Sequence, residues 1–453
     1  MAQVATNVEV GKTTTSEPGE KKNYMVPLAL MSTLFFMIGF ITVLNDVLIP
    51  SLKGVFTLNT WQAMLIQFCF FSAYGVMSIP SGKIINAIGY KKGLALALGI
   101  IGVGLLLFIP ASMFVQYWLF LTALFIIGSG LALLQVAINP YIIALGPAET
   151  GASRLNLGGA LNSTATFLGP ILGGAFILKE FKAEDFETVQ ALVQAKADAV
   201  QGPYLILALI TIAIGAVLYF IKLPKIDSEV AEGEEVNDKL TNHRNLIFGA
   251  GAIFFYVGVE VAIGSLLILY LATTEMGGIE EKHASSLLAY YWGSAMIGRF
   301  IGSAITQKIS PEILLRVVTA GALLMVALSF TGFAMNNWVD VLVMIFDYSE
   351  GVSLHFEDVH IPYAGLFLVL CGLFNSVMWP SIFPLGIKGL GKLTSLGSGV
   401  MVAMVAGGAF IPLFQGMLEE SIGFKWSFLL PLFCYAYLFF FAVEGYKTKK
   451  GIK

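Results

Sequence analysis

Long apolar stretches dominate this chain and leave few folds open to it. A membrane-spanning helix needs about 20 largely apolar residues. Twelve such stretches occur, at 25–49, 60–80, 93–112, 117–144, 155–178, 203–222, 245–272, 285–307, 312–335, 361–388, 393–416 and 423–444. Charged residues make up only 12% of the 453 residues. A β-barrel would show strands of about 10 residues that alternate in polarity. The predicted fold class is therefore an all-α membrane protein with twelve transmembrane helices.

The positions of lysine and arginine predict its orientation. If the N-terminus is cytoplasmic, 20 of the 26 basic residues fall on the cytoplasmic side, as expected for short loops of membrane proteins. Both termini are then cytoplasmic. The polar first 23 residues lack the order of a signal peptide. No basic patch suggests nucleic acid, and we expect a monomer in the lipid bilayer.

A charged segment divides the chain. Residues 223–244, LPKIDSEVAEGEEVNDKLTNHR, combine proline, glycine and dense charge, as is typical of a linker. The predicted organisation is a cytoplasmic tail (1–23), a six-helix half (24–222), a cytoplasmic linker (223–244), a second six-helix half (245–446) and a tail (447–453).

The two halves also repeat each other. FFMIG at 35–39 matches FFYVG at 254–258 with an offset of 219 residues, and Pro140 in LLQVAINPYIIALG matches Pro380 with an offset of 240. The longer connection at 336–360 accounts for the difference. Duplicated six-helix halves resemble the arrangement of the major facilitator superfamily, in which the substrate site lies between the halves near mid-membrane.

Two acids lie inside predicted spans, where a charged side chain is costly and usually functional. Glu260 is about 22 Å along its helix from Asn245, at 1.5 Å per residue. Asp46 is closer to the outer end of its helix. The functional interpretation is coupling to a cation; the alternatives are an interfacial Asp46 near Lys53 and a Glu260 that pairs with an amide or arginine for packing.

Four segments carry a narrower resemblance: GFITVLNDVLIPSLKGVFTL, QFCFFSAYGVMSIPSG, LLQVAINPYIIALGP and SRLNLGGALNS. They resemble the fucose permease and bacterial glucose/galactose transporter family of sugar–cation symporters. In fucose-type members an acid that matches Asp46 and a glutamate of the fourth helix serve proton coupling and sugar binding. Gln135 stands in place of that glutamate, which favours the glucose/galactose branch, some of whose members couple to sodium.

Buried amides and indoles are the candidate sugar ligands. Amides donate and accept hydrogen bonds, and a Trp ring can stack on a pyranose while its N–H binds a hydroxyl. The predicted substrate-binding residues are Asn45, Gln67, Gln135, Asn139, Asn162, Asn375, Trp379 and Trp292. Gln135 and Asn139 share a helix face, and the repeat pairs them with Asn375 and Trp379. The alternative for each amide is a hydrogen bond between helices.

The remaining polar residues suggest gating rather than chemistry. Arg154 and Arg299 are predicted to lie at cytoplasmic helix ends or gates. His355 and His360 flank Glu357 and Asp358 and could mimic a metal site, but a solvated outer loop is the preferred interpretation, so no metal and no cofactor other than H⁺ or Na⁺ as coupling ion is expected.

The predicted function is import of a hexose, glucose or galactose and possibly mannose, with a cation by alternating access. The alternatives are an L-fucose–H⁺ symporter and a proton-coupled antiporter of another small molecule. No cluster of His, Cys and Ser suggests an enzyme.

Overall fold

A computed structural model describes residues 24–146, 151–179, 181, 183–221, 239–305, 309–347, 353–390 and 393–448. The predicted N-terminal tail, most of the linker and most of the C-terminal tail lie outside these residues.

Long helices build both halves, and we number them α1 to α12, counting a broken helix as one. The first half contains α1 (Met25–Phe56), α2 (Thr60–Ala63 and Leu65–Ile88), α3 (Tyr90–Leu106 and Phe108–Met113), α4 (Tyr117–Ala144), α5 (Gly151–Ile177) and α6 (Gln201–Phe220), with a short helix, Val189–Asp198, before α6.

The second half has the same order. It contains α7 (Arg244–Leu271), α8 (Glu281–Ile305), α9 (Pro311–Ser329), α10 (Tyr363–Asn375 and Met378–Ile387), α11 (Thr394–Ala403, Met404–Ala406 and Gly407–Ile422) and α12 (Phe424–Ser427, Leu429–Phe440 and Phe441–Gly445), with strands β1 (Trp338–Asp347) and β2 (Ser353–Pro362) before α10.

Ten spans of the described chain are long and apolar enough to cross a membrane, or eleven if bent α10 is one span. The helix that falls short is α8, whose 25 residues include Glu281, Lys282 and Arg299. The predicted twelve spans are consistent with this architecture.

Helix packing repeats between the halves. In the first half α1 packs on α5, α2 and α3 on α4, and α3 on α6; each of these pairs recurs six helices later, as α7 on α11, α8 and α9 on α10, and α9 on α12. Between the halves, α2 meets α11 and α5 meets α8, while α1 packs on its own counterpart α7. The halves are thus related by a pseudo-two-fold axis that passes near α1 and α7.

One difference between the halves lies in α10. Its two segments differ in direction by 43° at a break after Asn375, whereas α4 is continuous. Pro380 alone does not explain the break, because its repeat counterpart Pro140 lies inside the continuous α4.

The loop predicted at 336–360 contains a β-hairpin, which the sequence analysis did not predict. β1 and β2 form an antiparallel hairpin in which Trp338 pairs with Pro362 and Asp347 with Ser353. The alternation of apolar and polar residues along WVDVLVMIFD is the pattern of a half-exposed strand. We call this side of the bundle the hairpin end, and the side where α1 begins the terminal end.

Several bonds fasten the hairpin to α8 of its own half. Lys282 pairs with Asp347 over 2.9 Å, Tyr290 donates to the carbonyl of Leu342 over 2.8 Å, and His283 contacts Glu357 over 2.8 Å. Hydrogen bonds from His283 and from His355 hold the pKa of Glu357 below its usual range. Among the described residues, no group of three His, Cys, Asp or Glu side chains is arranged to hold a metal ion.

Contacts between the halves close the hairpin end. Ser285 of α8 donates to the carbonyl of Pro170 in α5 over 2.6 Å, and the rings of Phe176 and Phe346 lie 5.8 Å apart. Opposite charges face each other nearby, because Glu281 of the second half interacts with Lys53 and Lys196 of the first half.

Candidate functional site

A central cavity of about 200 Å³ lies between the halves. The first half lines it with Ile38, Gly39, Thr42, Val43, Asp46, Gln67, Phe71, Tyr74, Gln135, Asn162, Ser163 and Thr166, and the second half with Val257, Glu260, Val261, Trp292, Ala295, Arg299 and Val405. Asp46, toward the hairpin end, is only 3% exposed, whereas Arg299, toward the terminal end, is an exposed residue. The cavity is therefore sealed beside Asp46 and accessible near Arg299.

Helical periodicity explains why these side chains converge. On α1, Ile38, Thr42 and Asp46 are spaced by four residues and therefore lie on one face. On α8, Trp292 and Arg299 are seven residues, or two turns, apart. Each of these two helices thus turns one face with polar residues toward the cavity.

Asp46 is held by three neutral donors. The Gln67 amide Nε2 and the Ser265 hydroxyl each donate to Oδ1 over 2.8 Å, and the Trp292 indole Nε1 donates to Oδ2 over 3.2 Å. Gln67 Nε2 also donates to Ser265 Oγ over 2.8 Å. Gln67 belongs to the same half as Asp46, whereas Ser265 and Trp292 belong to the other. The carboxylate therefore joins the two halves.

Glu260 has a different environment. The Tyr256 hydroxyl donates to its Oε1 over 2.9 Å, and the Arg299 guanidinium interacts with it electrostatically. Arg299 also donates to Ser163 Oγ of the first half over 2.8 Å. The cavity thus carries two acids, of which Glu260 has a cationic neighbour and Asp46 has neutral hydrogen-bond partners.

Besides Gln67, two predicted sugar ligands of the first half, Gln135 and Asn162, line the cavity. Gln135 donates to the Tyr74 hydroxyl over 3.1 Å, and Asn162 donates to the carbonyl of Phe35 over 3.1 Å. Each amide still presents an oxygen that can accept a hydrogen bond from a solute.

Four other predicted ligands do not line this cavity. Asn45 is 1% exposed, and its Nδ2 is buried with no partner among the described residues. Asn139 is exposed, one turn beyond Gln135. Asn375 is fully buried, donates to Tyr291 over 2.9 Å and accepts from Tyr435 over 2.8 Å, so it links helices within the second half. Trp379 stacks on Phe383.

The structure separates the two predicted gating arginines. Arg299 lies in the cavity, as described above. Arg154 is 8% exposed and donates to the carbonyls of Ile142 and Ile143 at the end of α4. Because the last carbonyls of a helix lack intrahelical donors, Arg154 caps α4 within the first half.

Several residues of the site escaped the sequence analysis. Tyr74 lies two turns from Gln67 on α2, and Thr42 lies one turn from Asp46 on α1, so helical spacing could have found both. Ser265 could have been found from the repeat, because it lies 219 residues after Asp46, at the offset that relates the first helices of the two halves.

Duplicated six-helix halves around a polar cavity define the class of secondary transporters. Residues 30–392 match the family model of the Major Facilitator Superfamily. The chain belongs to the Major Facilitator Superfamily and, within it, to the family that contains the glucose/galactose transporters and the L-fucose–proton symporters.

Its relatives match over nearly their whole length. A glucose/galactose transporter of Brucella abortus biovar 1 (strain 9-941) is 41% identical over 446 residues, which cover 98% of this chain and 100% of the relative. An L-fucose–proton symporter of Escherichia coli (strain K12) is 30% identical over 94% of each chain. A crystal structure of the fucose–proton symporter of E. coli, 28% identical, superposes with a TM-score of 0.66 over 93% of this chain and 98% of the other.

Proposed function

We propose that this protein imports a neutral hexose, glucose or galactose, across the bacterial cytoplasmic membrane together with a cation, by alternating access. One observation carries the proposal: the cavity joins amide and indole groups to an acid, Asp46, whose partners are neutral. The names of the relatives at 41% identity support the choice of sugar. The complete cavity forms within one chain, which supports a monomer as the working unit.

The coupling role falls mainly on Asp46. A buried carboxylate is costly unless it is neutralised or well hydrogen-bonded. Glu260 is offset by Arg299 inside the cavity, so its charge does not need a co-transported ion. We assign cation uptake to Asp46, and contacts with sugar hydroxyls to Glu260, Gln135, Asn162 and the Trp292 ring.

The cavity volume favours a small solute over the alternative antiporter cargo. Drug-sized ligands occupy pockets of roughly 300–1,000 Å³, whereas this cavity measures about 200 Å³. Fucose remains the second candidate, and Gln135 in place of an acid is the residue that separates this chain from fucose-type members.

Purified protein in liposomes tests the function directly. Labelled glucose, galactose, mannose and fucose are supplied under an inward proton gradient and, separately, an inward sodium gradient. We expect accumulation of glucose or galactose under one gradient and much less fucose. Protein-free liposomes are the control, and failure of every sugar to accumulate under both gradients would overturn the proposal.

Substitution of Gln135 tests the sugar site. Gln135→Ala should raise the KM for the sugar about fivefold, because a lost hydrogen bond costs on the order of 1 kcal/mol and 1.4 kcal/mol is tenfold. Asn139→Ala, one turn along the same helix but outside the cavity, is the matched control and should leave KM unchanged. A larger effect at Asn139 than at Gln135 would contradict this placement of the sugar.

A further inference from the structure

Asp46 and Ser265 are equivalent positions of the internal repeat. They are separated by 219 residues, the offset that matches FFMIG at 35–39 with FFYVG at 254–258. Their helices, α1 and α7, are equivalent and pack on each other. In a two-fold arrangement, a residue contacts its own counterpart only where it lies next to the axis. The bond between Asp46 and Ser265 therefore marks the place where the two halves meet about their pseudo-two-fold axis.

Ser265 contributes a hydrogen bond to this contact in addition to packing. Its side chain is fully buried among largely apolar residues of α7, and its hydroxyl donates to Asp46 Oδ1 over 2.8 Å. Gln67 Nε2 donates to both oxygens of this pair, so three polar atoms form a closed triangle with sides of 2.8 Å.

The three donors around Asp46 stabilise its ionised form, and two of them reach it only when the hairpin end is closed. Ionised Asp46 has only acceptor sites, and hydrogen bonds from donors stabilise that form. Trp292 Nε1 is a donor only. Two of the three donors, Ser265 and Trp292, come from the second half, so they reach Asp46 only when α7 and α8 are docked on α1 at the hairpin end.

We propose that Ser265 is the positioning residue that offsets the burial of Asp46 when the hairpin end closes, so that the coupling proton can leave the carboxyl toward the terminal end. The inference rests on the proposed function and takes the coupling ion to be H⁺. Docking of α7 brings the Ser265 hydroxyl onto Oδ1. The O–H bond of the protonated carboxyl then breaks, its electron pair stays on the carboxylate, and the proton passes to water in the cavity, which is accessible near Arg299.

The order of events gives import its direction. While the hairpin end is open, Asp46 lacks the two donors of the second half and takes up a proton. After closure the same donors replace the proton as partners of the carboxylate, and the proton leaves toward the terminal end. Binding and release of one proton are thereby tied to opposite conformations, as coupled transport requires.

Ser265→Ala tests this role, with Ser285→Ala as the matched control. Ser285 also donates across the halves at the hairpin end, but to the carbonyl of Pro170. Net proton-driven uptake and sugar exchange at equal pH on both sides are measured in liposomes, with the internal pH varied. We expect Ser265→Ala to lower net uptake about tenfold at neutral internal pH, the loss of one hydrogen bond to a charged group.

The pH profile separates a coupling role from a packing role. In Ser265→Ala the internal pH at which net uptake is half-maximal should rise by about one unit, because Asp46 then holds its proton about tenfold more tightly. The rate of sugar exchange should stay within about twofold of wild type. Ser265→Thr keeps the hydroxyl and should restore the wild-type profile. Ser285→Ala should change the rate without moving the profile.

Three results would overturn the proposal: an unmoved profile in Ser265→Ala, an equal shift in Ser285→Ala, or equal loss of exchange and net uptake in Ser265→Ala. Size-exclusion elution and thermal stability of each purified variant show whether it is folded. If Ser265→Ala is misfolded, Ser265→Cys takes its place. Wild-type protein that carries no sugar would reject the proposed function itself, whereas sugar-transporting wild type with unaltered Ser265 variants rejects only the role of Ser265.

Discussion

Asp46→Asn should abolish sugar accumulation against a gradient while leaving sugar exchange at equal concentrations largely intact. Asparagine is nearly isosteric with the protonated carboxyl, and its Oδ1 can still accept from Gln67 Nε2 and the Ser265 hydroxyl, whereas its Nδ2 cannot accept from the Trp292 indole. It cannot exchange a proton or bind a cation by charge, so the ion gradient can no longer drive sugar accumulation. Uptake and counterflow of labelled sugar in the same liposomes measure the two properties.

Glu260→Gln is the contrast for this experiment. Its carboxylate has a cationic neighbour in Arg299, so its loss should weaken sugar binding and leave accumulation dependent on the gradient. Accumulation by Asp46→Asn at the wild-type level would refute the coupling role. Loss of gradient dependence in Glu260→Gln instead would transfer that role to Glu260.

Gly407→Ala should be the most damaging single-methyl change for folding. A Cβ at Gly407 would lie 1.8 Å from the backbone oxygen of Phe254 and 2.6 Å from its carbonyl carbon. The obstructing atoms are backbone, so no rotamer change relieves the clash and α11 must separate from α7. Overpacking costs typically 1–3 kcal/mol and sometimes more. We expect a clear loss of folded protein after extraction and a Tm several degrees lower.

Gly399→Ala is the matched control, because it lies on the same helix and an added Cβ meets nothing within 4 Å. Yield after size exclusion and thermal unfolding in detergent measure both variants. A Gly407→Ala protein with wild-type yield and Tm would show that α7 and α11 do not approach this closely.

Much of the fold could be predicted because its signals are local and repeated. Apolar length predicts spans, and the offset between FFMIG and FFYVG predicts equivalent halves, which the repeated helix pairs confirm. The hairpin at 338–362 was missed because it interrupts a helical protein and its alternating pattern was treated as part of a loop.

The site was harder, since burial in a membrane helix does not distinguish a cavity wall from a helix contact. Gln135 lines the cavity, but its repeat counterpart Asn375 bonds Tyr291 and Tyr435 inside the second half. The 43° break in α10 has no equivalent in α4. The repeat therefore does not predict that Asn375 and Trp379 line the cavity, although Gln135 at the equivalent position does.

The contact between Asp46 and Ser265 also bears on how such a protein could arise by duplication. In a carrier made of two identical six-helix chains, the residue beside the axis would face its own copy. Two aspartates there would repel each other unless they shared a proton, and two serines would carry no charge to couple. Once the duplicated copies differ in sequence, one can supply the acid and the other its donor. The difference between the two halves is thus what allows a single proton site to exist on a two-fold axis.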